Sequence, residues 1–150
     1  MLVTNHVLSG ALIGAATGRP GVALGAGIAS HFVLDAVPHW GDWGDDKALF
    51  LRVAVRDGLT GLAVMGTLAA VAPPRLRPAV IAGMVGAALP DLDKPSKMFF
   101  GRSPFPRVVD AFHGAIQREA RGRFPMEAAV GAGFAAAAIA VMVARAKARS

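Results

Sequence analysis

The chain contains no cysteine, which excludes disulfides, thiolate metal sites and a cysteine nucleophile and leaves any metal to histidine and carboxylate ligands. Charge is scarce as well. Only 17% of the 150 residues are Asp, Glu, Lys or Arg, against 54% hydrophobic residues and a mean hydropathy of +0.48. That balance is too apolar for an ordinary water-soluble domain and points to one integral-membrane domain covering residues 1–150. The net charge of +6 is no argument for nucleic acid, because the basic residues stand mostly at the ends of apolar runs, as lipid headgroups and topology signals require. No basic region precedes the first apolar stretch and no cleavage site follows it, so that stretch reads as a retained helix rather than a signal peptide. Repeats of solenoid length are lacking too.

What is present is a series of apolar segments, at residues 1–18, 21–37, 57–72, 79–89 and 126–144. The fourth is short for a span, which makes it spanning or re-entrant. Between the second and third lies a polar connection with Trp40 and Trp43, suited to an interfacial belt, and an acidic trio at Asp42, Asp45 and Asp46. In the polar region 94–123, Val108, Val109, Phe112, Ile116 and Ala120 recur at helical spacing, with Arg107, Arg118 and Arg121 elsewhere on the wheel. This predicts an amphipathic helix in the membrane interface, with His113 beside its apolar side. Pairs of glycines four apart, at 10/14, 14/18 and 21/25, predict that the first two segments pack as a close hairpin. The expected fold is therefore all-α: a polytopic membrane bundle of four to five spanning or re-entrant helices plus one interfacial amphipathic helix.

The stretch richest in chemistry is His31-Phe32-Val33-Leu34-Asp35-Ala36-Val37-Pro38-His39-Trp40. On a helix, His31 and Asp35 stack one turn apart and can grip one cation, and Pro38 ends the helix before His39. If five segments alternate direction, one membrane side receives only Arg19, the Arg75/Arg77 turn and the basic C-terminal tail. The other side receives His6, His31, Asp35, His39, Asp57, Asp91, Asp93 and His113. Each has a plainer reading. A buried His6 can bond a carbonyl, Asp91 and Asp93 can cap a helix beginning near Lys94, and Asp57 can pair with Arg52 or Arg56 or favour a helix N-terminus. Asp35 is harder to explain without a partner or a metal, because a carboxylate at membrane depth is costly.

The run SHFVLDAVPHW, GAALPDLDK at the end of the fourth segment and FHGAIQ in the amphipathic stretch resemble a bacterial inner-membrane family of membrane-bound metal-dependent hydrolases. The resemblance runs in order along nearly the whole chain, starting at NHVLSGALIG. It implies a multi-span bundle around a divalent metal, with His6, His31, Asp35, Asp91 and Asp93 as ligands. Better-known relatives carry a later histidine pair in an HRGxTHS-like motif, and here His113 with Gln117 stands at the comparable place.

Imidazole with carboxylate suits zinc first, and also Mn²⁺ or Fe²⁺, while the Asp91/Asp93 pair would also suit Mg²⁺. An open coordination position would bring the pKa of a bound water toward ~7. His39 and His113 are then candidates for general base or acid, with Asp57 as a third catalytic candidate. The expected reaction is hydrolysis of a phosphoester or ester in a lipid-like substrate at the membrane interface. The alternative is a non-enzymatic metal-binding membrane scaffold or accessory protein. A lipid-alcohol phosphotransferase fits poorly, since Asp57-Gly58 is followed by Leu59-Thr60-Gly61-Leu62. A transporter fits poorly too, because the far side offers only basic residues. The expected location is the bacterial inner membrane, multi-pass, with membrane lipids as partners and the site on the cytoplasmic side.

Overall fold

The computed structural model describes residues 1–41 and 46–148. Asp42, Trp43 and Asp45 of the polar connection, and Arg149 of the basic tail, lie outside the described residues. Seven helices follow in order: α1 (Val3–Thr17), α2 (Pro20–Ala36), α3 (Lys47–Val71), α4 (Arg77–Ala88), α5 (Asp93–Phe100), α6 (Arg107–Ile116) and α7 (Phe124–Lys147). Two-residue strands β1 (His39–Trp40) and β2 (Glu119–Ala120) pair in parallel, His39 opposite Glu119. The all-α expectation holds, with this short ladder as its one β element among the described residues.

Local chemistry sets the helix limits. Pro20, Pro78 and Pro125 stand in first turns, where the missing N–H costs nothing. Gly18 ends α1 in the left-handed region at φ 62°. α3 begins ten residues before the expected boundary at Asp57. Asp46 caps it, accepting from the Leu49 N–H at 2.8 Å, so its first half carries Lys47, Arg52 and Arg56. The amphipathic helix is shorter than expected, because α6 stops at Ile116 and Ala120 lies in β2.

The expected close hairpin is changed in kind. Glycines do bring backbones together, but α4 is the helix they admit. A Cβ at Gly10 would collide with the Gly83 carbonyl, one at Gly14 with that of Ala79, and one at Gly86 with that of Leu24. α4 thus wedges against both α1 and α2, while Gly21 and Gly25 face open space. Around this contact, Val7, Ala11, Ala15, Leu68, Val80, Met84, Ala138 and Met142 form the apolar core.

α1, α3 and α7 run one way and α2 and α4 the other. The Arg145 guanidinium donates to the Ala15 and Ala16 carbonyls at 2.9 and 2.6 Å, closing the C-terminal end of α1. At its other end, Leu2 N–H donates to Glu127 Oε1 at 2.7 Å and Val3 N–H to Asp57 Oδ2 at 2.6 Å. The N-terminal ends of α1 and α7, the stretch of α3 around Asp57 and the C-terminal ends of α2 and α4 therefore meet at one end of the bundle.

Among the described residues one helix, Arg121–Lys147, is long and apolar enough to cross a membrane by itself. α1, α2 and α4, with 15, 17 and 12 residues, extend roughly 22, 25 and 18 Å, short of a hydrocarbon core of about 30 Å. Of the expected four to five spanning or re-entrant helices, one meets this measure of a span among the described residues. Burial is nonetheless inverted. His6, His31 and Asp35 have no exposed surface, whereas Val33, Leu59, Leu62 and Val71 are about two-thirds exposed.

Candidate metal centre

The His31–Asp35 pair falls on the last two turns of α2 and points into the bundle, as the four-residue spacing requires. Four residues, His31, Asp35, Asp91 and His113, each present one ligand atom, all within 4.8 Å of one another. Asp91 comes from the 3₁₀ turn Leu89–Leu92 that continues α4, and His113 from α6. His31 Nε2 lies 3.1 Å from His113 Nε2, 3.3 Å from Asp35 Oδ2 and 4.0 Å from Asp91 Oδ1. His113 Nε2 lies 3.1 Å from Asp35 Oδ2 and 3.9 Å from Asp91 Oδ1.

Tautomers decide what these distances mean. His31 Nδ1 is 2.7 Å from the Ala87 carbonyl, which only accepts, so Nδ1 carries a proton and a ring with that single proton turns an Nε2 lone pair inward. That lone pair meets two carboxylates and a second imidazole nitrogen. One proton on His113 Nε2 could serve only one of these acceptors. A cation satisfies them together, and it frees a proton for His113 Nδ1, which faces Asp93 Oδ1 at 3.7 Å. Asp93 Oδ1 is buried without a hydrogen-bond partner among the described residues. The orphaned oxygen and the inward lone pair both fit a metal held by this group, with Asp93 orienting a ligand from behind.

The other residues singled out in the sequence fall around this group. His6 on α1 stacks on His31 with ring centroids 3.9 Å apart, and its Nε2 is 3.1 Å from Asp35 Oδ1, an oxygen that also accepts from the Met1 amino group at 2.8 Å. It thus buttresses Asp35 from outside the set of four. Asp93, expected as a ligand, begins α5 and uses its other oxygen on Lys97 at 3.0 Å. Burial would push the Asp91 carboxyl up, but the Lys94 ammonium at 2.8 Å and the nearby imidazoles outweigh it and hold it below the ordinary carboxylate range. For Lys94, burial acts downward and is outweighed by Asp91, so its pKa is raised and it stays cationic.

His39 is buried but outside the group. Its Nδ1–H donates to the Val37 carbonyl at 2.8 Å, its backbone N–H donates to Arg118, and Nε2 has no partner among the described residues. Asp57, expected as a third catalytic candidate, lies outside the group of four. Its oxygens accept from the Val3 N–H, the Thr4 N–H at 3.2 Å and the Thr4 hydroxyl at 2.6 Å, which is the helix N-terminal role. Asp57→Ala should therefore cost about 1–3 kcal/mol of stability, the penalty for orphaning buried donors. Metal content should stay at the wild-type value. Thermal melting with metal analysis checks both, and loss of metal without loss of stability would return Asp57 to the centre.

Glu127 went unremarked in the sequence because it stands alone at the start of an apolar run. Its carboxylate accepts from the Leu2 N–H, Asn5 Nδ2 at 3.1 Å and the Trp40 N–H at 3.2 Å, tying α7 to α1 and β1. Its one cue was Asn5, a second polar residue in the facing segment. Gln117 was noticed only through FHGAIQ. Its amide lies within 3.3 Å of Asp35 Oδ2, and turned the other way it bridges Lys94 Nζ at 3.0 Å to Glu119 Oε1 at 3.3 Å. Comparison with known protein families, with curated proteins and with solved structures finds no match to this chain.

Proposed function

We propose that the chain is a metal-dependent membrane hydrolase acting on a phosphoester or ester of a lipid-like substrate. The observation that carries this reading is the convergence of two imidazole Nε2 atoms and two carboxylates with the His31 lone pair turned inward. His31, Asp35, Asp91 and His113 would hold the ion, and this nitrogen and oxygen set favours zinc, with Mn²⁺, Fe²⁺ or Mg²⁺ as the other fits. A divalent ion there supplies Lewis-acid polarisation of a phosphoryl or acyl oxygen and an acidified water. The chain's own groups do the rest. The Ala87 carbonyl orients His31, His6 steadies Asp35, Asp93 would accept from His113 Nδ1 on closing the 3.7 Å between them, and Lys94 offers a positive charge next to Asp91.

Two further observations support a membrane setting. Large apolar side chains face outward on several helices while the polar centre is enclosed, the reverse of a water-soluble bundle. Helices too short to span alone are tolerated when neighbours shield them. We infer a multi-pass arrangement in the bacterial inner membrane, with α6 in the interface and the centre on the cytoplasmic side. The motif resemblance of SHFVLDAVPHW and PDLD favours the same reading.

The test is metal analysis of purified protein beside His31→Ala and His113→Ala, followed by a screen of lipid phosphoesters and esters. Wild type should hold stoichiometric divalent metal and turn over at least one substrate class, and each variant should lose most of both. No metal in wild type, or full retention in both variants, defeats the reading. Bound metal with every ester intact favours the scaffold alternative.

A further inference from the structure

α6 presents its apolar side outward. The side turned to the bundle carries the half-buried Asp110 and the buried His113, the latter in the candidate metal group. The opposite side carries Val108, Ala111, Phe112 and Ala115, spaced i, i+3, i+4, i+7 on one helix face, and all four are exposed. Val108 is 74% and Phe112 52% exposed. Such a stripe is stable only against an apolar neighbour. With ten residues, α6 extends roughly 15 Å, half of a hydrocarbon core of about 30 Å, so it can lie along a bilayer but not cross one. Phe112 meets Phe32 of α2 edge-on at 5.3 Å, which joins the stripe to a helix whose Val33 is itself two-thirds exposed.

The charge turned outward beside this stripe is of one sign. From Asp91 to Arg118 the chain has five basic residues, Lys94, Lys97, Arg102, Arg107 and Arg118, against three carboxylates, Asp91, Asp93 and Asp110. The carboxylates point inward, with side chains 13%, 8% and 18% exposed, and each pairs with a lysine at 2.8, 3.0 and 3.1 Å. Arg102, Arg107 and Arg118 are exposed and have no ion pair among the described residues. Beyond them Glu119 is followed by Arg121 and Arg123, so the surplus grows along the chain. The turn that bears Arg102 and Arg107 is ordered. Gly101 ends α5 at φ 70°, and Ser103 Oγ donates to Asp110 at 2.8 Å and accepts from the Phe105 N–H at 3.1 Å. Arg102 shares a notch with Phe100, a ring that is 77% exposed.

We propose that the α5–α6 hairpin is a docking surface for anionic phospholipid. The stripe Val108/Ala111/Phe112/Ala115, with Phe100, rests at the acyl boundary, and Arg102, Arg107 and Arg118 hold lipid phosphates. The assignment rests on the membrane setting proposed above and adds the charge of the lipid; it uses neither the metal nor the reaction.

The test exploits the cysteine-free chain. Val108→Cys and Ala115→Cys place a bimane fluorophore on the stripe, and Gly114→Cys places one at its edge, where a Cβ meets nothing within 4 Å. The full-length variants are put into phosphatidylcholine nanodiscs holding a nitroxide on the acyl chain of either phosphatidylglycerol or phosphatidylcholine, at equal mole fraction. Probes at 108 and 115 should be quenched more than the probe at 114. The anionic quencher should quench them about three to five times more strongly than the zwitterionic one, the enrichment that one well-placed arginine gives for an anionic lipid. Changing Arg102, Arg107 and Arg118 together to Gln should make the two quenchers equal, and changing them to Lys should keep the preference. Melting temperature should match wild type in both, since these side chains hold nothing in the fold. High salt should reduce the preference in wild type.

Equal quenching by the two lipids in wild type overturns the anionic docking. Absence of quenching at 108 and 115 overturns lipid contact altogether, and disulfide formation between Val108→Cys copies would then make a second copy the occupant. A preference that survives the Gln variant removes the arginines from the site. Elemental analysis of the same samples separates this reading from the hydrolase. Anionic preference in protein that holds no metal keeps the docking surface and defeats the metal centre, whereas bound metal with equal quenching defeats the docking surface alone.

Discussion

Asp35→Asn is expected to weaken metal retention on the order of 100-fold or more, beyond the range for removing a group that only supports a ligand. The substitution keeps shape and removes charge. Asp35 is the carboxylate that touches both imidazoles of the group and two further groups outside it: His31 at 3.3 Å, His113 at 3.1 Å, His6 at 3.1 Å and the Met1 amino group at 2.8 Å. Its carbonyl also accepts from the Arg118 N–H at 3.3 Å, which the variant leaves in place. An amide offers one acceptor oxygen and two donor hydrogens, so it confronts the inward lone pair of His31 with a neutral partner and leaves a cation one negative charge short. Dialysis against buffered zinc, followed by elemental analysis, should show wild type filled at concentrations where Asp35→Asn is empty. Equal stoichiometry at limiting zinc would remove Asp35 from the ligand set.

Gly83→Ala should lower the melting temperature by about 6–12 °C, taking about 3 kcal/mol for overpacking and 2–4 °C per kcal/mol in a chain of this size. The added methyl would run into the Gly10 carbonyl, which is backbone and cannot rotate away. α4 would have to separate from α1, and α4 carries the Ala87 carbonyl that orients His31 and leads into the turn bearing Asp91. Metal affinity should therefore fall together with stability. Gly21→Ala and Gly25→Ala are the controls. They sit in the same kind of glycine pair but face open space, so a helix-favouring alanine should be neutral or stabilise by up to about 1 kcal/mol. Equal melting of all three variants would mean that α4 is not wedged between α1 and α2.

The glycine pairs show where reading a sequence stops. Spacing identifies a face along which a helix can be approached, but nothing in it names the partner. The pair 10/14 meets α4, whereas 21/25 meets nothing within reach, and no local property separates them. The same holds for Asp57, Asp91 and Asp93. As sequence, Asp57 opens one apolar segment and Asp91 and Asp93 close another, all three on the same expected side. In the fold, Asp57 faces free N–H groups of α1, Asp91 reaches the imidazoles, and Asp93 stands behind one of them. Two residues separate Asp91 in the 3₁₀ turn, which belongs to the candidate group, from Asp93 at the start of α5, which stands outside it.

Local and periodic features were determined by the sequence alone. The helical segments, the proline starts, the glycine at the end of α1 and the pairing of His31 with Asp35 follow from interactions within a few residues. So does the collection of His and Asp residues at one end of the bundle, once segments alternate. Only the tertiary structure decided which of them share a space. His113 comes to within 3.1 Å of His31 because α6 folds back beneath α2, with Phe112 edge-on to Phe32, across 82 positions of chain. Long-range packing of that kind depends on the complementary shapes of two surfaces. A helical wheel shows only which way a side chain points, and what stands opposite is decided by the other helices.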